Sequence, residues 1–476
     1  MATSCADVYS NADSGWTKVQ SDGVTFYSDL PPPAINSLAK HLIQFREAIQ
    51  TFPFAELADP SQPKPQLDVL VFSKRREFAR LLKTRHFAAF TQPGFERTFL
   101  LIGPSAGKMS LQRNARHEYV HYHLRNHPMG YPTWFDEGLA VMLEYLVIDE
   151  EHQTQAKLDT HALFKRYELE TVTGKTPVLS GLLSAHDIHH WDYKRLEQFY
   201  GTVGQLVHYL YFGHEIGLTD HRPNLKSYLL NRNTSLAEAL GTSNRRLERQ
   251  LENYQKRKKF ELQVQVAPIT SDMTHSPITV RERDLLLARA IEPANPKRAV
   301  ALYKRIIAEH TNEAELYVDL ARAQSLADKA KAASISLDLA KRLMPELSAQ
   351  YLVQKATMTM AGCRPITSTD CQARWRDASA LVRQALELDP SMTAALHLQG
   401  VIDLYRGRPG TALNYLRAAH RYAPWVPRLN YHLGECLRLL GDPSAVIYLR
   451  NALAWSHDQA WRDIAQKSLS LAKPAS

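Results

Sequence analysis

Two histidines one helical turn apart, with acids beside and beyond them, constrain this chain more than any other feature it carries. The run His117-Glu118-Tyr119-Val120-His121 is followed by Trp134-Phe135-Asp136-Glu137-Gly138-Leu139-Ala140. Residues four apart share a helix face, so His117 and His121 can offer two imidazoles to one metal ion. Glu118 sits one position round, where it reaches a water on the ion rather than the ion itself. Glu137 supplies a third ligand from the next helix. Three protein ligands with a fourth position for water make a catalytic zinc site, whereas structural sites use four. The local fold follows. Met109 to Leu124 reads as a helix through Leu111, Ala115, Val120 and Leu124, ended by Pro128 and Gly130. Trp134 to Ile148 reads as a second apolar helix behind Pro132.

His117-Glu118-x-x-His121 with Trp134-x-x-Glu137-Gly138-x-Ala140 resembles the gluzincin metallopeptidases, in particular the bacterial peptidase MA-like domains, relatives of thermolysin and the zinc aminopeptidases. The resemblance spans residues 16 to 255 or so. It implies an α+β zincin-like metalloprotease domain with one Zn2+ on His117, His121 and Glu137. Peptide bonds would be hydrolysed by a zinc-bound water that Glu118 activates as general base. Tyr200 opens Tyr200-Gly-Thr-Val-Gly-Gln-Leu206-Val207-His208-Tyr209-Leu210, similar to the helix that carries a transition-state tyrosine in the aminopeptidase branch. That likeness implies a hydrogen bond from Tyr200 to the oxyanion. The chain also departs from these relatives. The spacer between His121 and Glu137 is shorter than in the aminopeptidases, which fits the MA-like domains. No Gly-x-Met-Glu-Asn stretch precedes the zinc helix, so an endopeptidase is implied rather than an exopeptidase. Val141 stands where thermolysin has an aspartate, leaving Asp136 to orient a ligand imidazole.

Ahead of this motif short strands alternate with helices. Val24 to Ser28 alternates as a strand, and Ile35, Leu38, Leu42, Phe45 and Ile49 form an amphipathic stripe behind Pro32 and Pro33. Leu67 to Phe72 reads as a buried strand, followed by a short helix through Phe78, Leu81 and Leu82. Pro93-Gly94 marks a turn before a strand at Thr98 to Ile102, which is expected either to bind extended substrate at an exposed edge or to pair wholly within its own sheet. The histidines His186, His189 and His190 are read as a polar loop, and His123 and His127 as facing away from the His117 side.

The C-terminal part repeats. Pro390 and Pro424 lie 34 residues apart, as do Gly400 and Gly434, with Ala412 and Ala419 at small-residue positions where paired helices cross. Ala333 and Ala340 take matching places before Pro345. Period and phase resemble tetratricopeptide repeats, an all-α solenoid of about four stacked helical hairpins. The chain thus divides into a tail (1–15), the peptidase MA-like domain (16–266), a Pro, Ser and Thr-rich linker (267–282) and the repeat domain (283–472). The repeats are expected to bind a protein partner, and the catalytic half a peptide or protein substrate. An adaptor or assembly factor acting through its repeats alone is the alternative.

Composition narrows the classes. At 476 residues with 44% apolar content this is a multidomain globular chain, and no apolar run is long enough to span a bilayer. The net charge of +9 comes without a nucleic-acid motif, and the densest basic run, Arg245 to Lys259, places Leu247, Leu251 and Tyr254 at helical spacing, so it reads as a solvated helix face and no nucleic-acid partner is expected. The four cysteines, Cys5, Cys363, Cys371 and Cys436, exclude a disulfide scaffold and a thiolate zinc cluster. Cys363 and Cys371 flank a polar insertion and either pair in an oxidising compartment or stay thiols. Ala2-Thr3-Ser4-Cys5 is like the end of a bacterial lipoprotein signal without its apolar stretch. A cell-envelope location, lipid-anchored if a signal lies upstream, is therefore expected over the cytoplasm.

Overall fold

The computed structural model describes residues 13–51, 54, 57, 66–82, 89–104, 108–127, 129–148, 155–171, 179–188, 190–231, 234–267, 272–363, 369–456 and 458–472. The strands are β1 (Asp13–Ser21), β2 (Val24–Ser28), β3 (Gln66–Val71), β4 (Ala89–Pro93), β5 (Arg97–Ile102), β6 (Leu146–Ile148), β7 (Gln155–Leu158), β8 (Gln263–Gln265) and β9 (Thr274–Thr279). Six of them form one sheet in the order β4-β5-β3-β2-β1-β9, and β6-β7-β8 form a small antiparallel one. Within the large sheet β2, β3 and β5 run parallel, while β4, β1 and β9 each pair antiparallel with a neighbour.

Side chains alternate across a strand, and that period of two divides the core. Val69, Val71, Leu100 and Ile102 face a layer built from the Pro32–Thr51 helix and the helix that carries His117. Ile35, Leu38, Leu42, Phe45 and Ile49 of the former are all 1% exposed or less, as their stripe requires. Leu70, Phe72, Phe99 and Leu101 face the other way. They pack on the Arg75–Leu82 helix and on the first two repeat helices, Val280–Ile291 and Pro296–Ile307. The sheet therefore lies between two helical layers, one of which belongs to the repeats.

The sheet decides between the two readings of one strand and corrects other expectations. The strand at Thr98–Ile102 is interior, hydrogen-bonded to β4 on one side and β3 on the other, so it offers no free edge. Its unbroken apolar run suits a strand buried on both faces. The margin of the sheet on that side is β4. The segment 267–282 is not a free linker, because Thr274–Thr279 pairs with β1 and extends the sheet. Pro277 made it look like loop, yet a proline is tolerated on a margin strand. The tail is shorter than 1–15, since β1 begins at Asp13, and Ala2 to Cys5 lie outside the described residues. The second motif helix ends at Leu143, and Leu146–Ile148 is a strand.

The C-terminal half is an all-α array of helical hairpins. Five pair up among the described residues, one more than the sequence period suggested: 280–291 with 296–307, 314–326 with 330–343, 349–360 with 369–388, 393–405 with 409–422, and 427–439 with 445–455. A last helix, Gln459–Leu471, closes the stack. The matched glycines mark close crossings: a Cβ on Gly400 would lie 2.6 Å from Leu416 Cγ, and one on Gly434 2.8 Å from Leu449 Cγ. A disulfide joins Cys363 to Cys371 within the third hairpin.

The array returns to the α+β half at its far end. Trp425 Nε1 donates to the Gly94 carbonyl in the β4–β5 turn at 2.6 Å, and Phe95 packs against the apolar cluster that holds Trp425, Val426 and Leu396. Asn451 Nδ2 donates to the Met129 carbonyl at 3.0 Å. Gly130, at φ +57°, lies so close under Trp455 that a Cβ would come within 2.6 Å of the indole. Trp455 is 2% exposed, and Trp455→Ala should cost about 3 kcal/mol of stability as the cavity opens against Gly130. Urea unfolding monitored by circular dichroism checks this. An unchanged midpoint would mean that the contact contributes nothing.

Candidate metal centre

The helix Lys108–Leu124 lies against the sheet, and the helix Thr133–Leu143 packs beside it. Their spacing brings three ligand atoms together. His117 Nε2 and His121 Nε2 are 3.1 Å apart, and Glu137 Oε2 is 3.4 Å from the first and 3.6 Å from the second. Four ligands held tetrahedrally at ~2.0–2.1 Å stand roughly 3.3 Å from one another. The triangle matches that spacing. Glu137 Oε2 is buried and has no hydrogen-bond partner, an arrangement that costs free energy unless a cation meets it.

Both remaining ring nitrogens are taken by carboxylates, which fixes Nε2 as the inward atom on each ring. His121 Nδ1 is 2.8 Å from Asp136 Oδ1, and His117 Nδ1 is 2.8 Å from Glu144 Oε1. Arg113 holds the other Glu144 oxygen at 2.6 Å, and the buried Arg116 donates Nε to the Glu144 carbonyl at 2.9 Å. Burial pushes the Glu137 carboxyl up, but the neighbouring imidazoles of His121 and His117 outweigh it and hold the group at about 2. Burial alone would lower His117; its hydrogen bond to Glu144 and the nearby Glu137 carboxylate raise it well above the usual imidazole range instead. The cluster is thus built to hold positive charge at its centre, and a metal ion would enter by displacing a proton.

Glu118 follows His117 on the same helix, and Tyr200 approaches His117 from another. Glu118 Oε2 accepts from Thr91 Oγ1 of β4 at 2.8 Å. Tyr200, on the Tyr193–Phe212 helix, sets its ring 6.3 Å from that of His117 and nearly perpendicular to it. The helix is held close because Gly138 and Gly204 have no side chains where it crosses the Glu137 helix: a Cβ on Gly138 would be 2.6 Å from the Val203 carbonyl oxygen.

No family model matches the chain, and no curated protein does. Solved structures similar to it include a thermophilic TPR protein of Thermus thermophilus, at 17% identity over 40% of this chain and 100% of that one, with a TM-score of 0.35. PilF of Pseudomonas aeruginosa gives 16% identity over 40% of this chain and 88% of that one, with a TM-score of 0.29. YrrB, described as a TPR protein with an unusual peptide-binding site, gives 18% over 39% and 90%, with a TM-score of 0.25. At these scores the hairpin array stands on its own packing.

Other histidines lie elsewhere. Among the described residues the group able to hold a metal here consists of His117, His121 and Glu137. His127 packs on Tyr131 at 5.2 Å. Burial pushes His186 down to about 4, with Arg450 adding to the effect, and His190 lies 3.7 Å from Asp187. His189 is outside the described residues. Two contributors were absent from the sequence reading. Glu144 had a signal, since it follows Glu137 by seven residues, two helical turns on the same face. Thr91 had none, for its role exists only once β4 folds back on β5.

Proposed function

We propose that this chain is a zinc metallopeptidase of the gluzincin, peptidase MA-like kind, acting as an endopeptidase, with its helical repeats as a surface for a protein partner. One observation carries the reading: two imidazole Nε2 atoms and a buried carboxylate oxygen that makes no hydrogen bond stand at 3.1, 3.4 and 3.6 Å, with both Nδ1 atoms already engaged. Zinc held by His117, His121 and Glu137 would supply a Lewis acid that acidifies a water and polarises the scissile carbonyl. Glu118, aimed by Thr91, takes the proton of the attacking water and passes it to the leaving amine. β4 carries Thr91 on the margin of the sheet, where an extended substrate backbone can add as a further strand. Tyr200 donates to the oxyanion, a stabilisation on the order of 3 kcal/mol. The Cys363–Cys371 disulfide favours an oxidising compartment such as the cell envelope.

The five stacked hairpins favour a second reading, a non-catalytic adaptor acting through its repeats. Metal analysis separates the two. The metallopeptidase should carry one zinc per chain, and removing it by chelation should lower stability by about 4 kcal/mol where free zinc had stood at ~1,000 times Kd. Elemental analysis and thermal melts with and without chelator read both quantities. A folded chain that holds no zinc leaves the adaptor.

A further inference from the structure

A groove of about 320 Å3 runs between the Arg75–Leu82 helix and the first repeat hairpin, well apart in sequence from the histidine motif. That size is at the small end of ligand clefts, roughly 300–1,000 Å3. Its floor is apolar: Leu81, Leu287 and Leu302 are each 3% exposed. Its walls are cationic. Asp284, with a side chain only 1% exposed, accepts from Arg283 at 2.9 Å and pairs with Arg305, so one buried carboxylate fixes two guanidiniums in the wall. Lys74, Arg76, Arg80 and Arg298 also line the groove, and among the described residues no carboxylate pairs with any of them. Six cations against the two carboxylates Asp284 and Glu77 leave a strong positive field over a concave surface with low-dielectric walls.

We infer that this groove binds a phosphate-bearing anion. Guanidinium forks match phosphate oxygens two at a time; Arg283 spends Nε and Nη2 on Asp284, which leaves the forks of Arg76, Arg80 and Arg298 to meet the phosphate. The leucine floor suits a ligand with an apolar body next to its phosphate. Such chemistry has two sources, a soluble phosphate ester or the headgroup of an anionic lipid. The site joins the sheet half to the repeats, and its occupant would tie the two together. The inference does not depend on zinc.

The test uses the full chain at ~150 mM salt, with pyrophosphate in calorimetric titrations and with phosphatidylglycerol against phosphatidylcholine vesicles in flotation. Saturable binding of at least one phosphate probe is expected. Binding of pyrophosphate without vesicle flotation assigns a soluble ligand, and the reverse assigns a membrane headgroup. Arg80→Glu with Arg298→Glu should weaken binding roughly a hundredfold, about tenfold per arginine lost, with the melting temperature unchanged. Arg245→Glu with Arg249→Glu changes the net charge equally on an exposed helix and should leave binding intact. The inference is overturned if neither probe binds, if R80E/R298E binds like the parent, or if the control pair weakens binding as much.

Discussion

Glu118→Gln is expected to reduce peptide hydrolysis roughly 10²–10⁴-fold while one zinc per chain remains bound. The amide is nearly isosteric with the carboxylate and can still accept from Thr91, now 2.8 Å from Glu118 Oε2, so the surroundings should be preserved. It cannot take a proton from water at neutral pH. None of the ligand contacts involves Glu118, so metal content should be indifferent to the change. Cleavage products from a proteome digest, compared between parent and variant, give the rate effect, and elemental analysis gives the zinc. Equal cleavage by the two proteins would remove Glu118 from the mechanism.

Gly138→Ala should destabilise the chain by about 1–3 kcal/mol and weaken zinc binding at the same time. The added methyl would meet the Val203 carbonyl oxygen at 2.6 Å and Val207 Cγ2 at 2.8 Å. The first is backbone inside a helix and cannot turn aside. The two helices must part, and one bears Glu137 while the other bears Tyr200. Gly181→Ala is the control, because nothing lies within 4 Å of its added carbon. Thermal melts and competition for zinc with a coloured chelator measure both effects. A Gly138→Ala protein as stable and as zinc-avid as the parent would show that the crossing is looser than its distances imply.

The meeting of His117 with His121 was legible because helical spacing is local: residues four apart share a face whatever surrounds them. The same holds for the apolar stripe from Ile35 to Ile49 and for the 34-residue spacing of Gly400 and Gly434, each of which lies against a leucine of its partner helix. What escaped is non-local. Thr91 reaches Glu118 only through a hairpin that the sequence marks by its turn alone. The strand Thr274–Thr279 carries exposed polar side chains and a proline, so its composition speaks of loop while its pairing with β1 is set by the sheet. With that strand unseen, the chain divided on paper into a protease and an appendage.

The way the first repeat hairpin backs the sheet makes that division unworkable in the laboratory. A fragment stopped at residue 266 would lose β9 and leave Trp16, Leu70, Phe72, Phe99 and Leu101 without their cover. Such a fragment should precipitate instead of serving as a minimal enzyme. Its inactivity would say nothing about chemistry, and genetic dissection of the two halves has to proceed by single substitutions in the intact polypeptide.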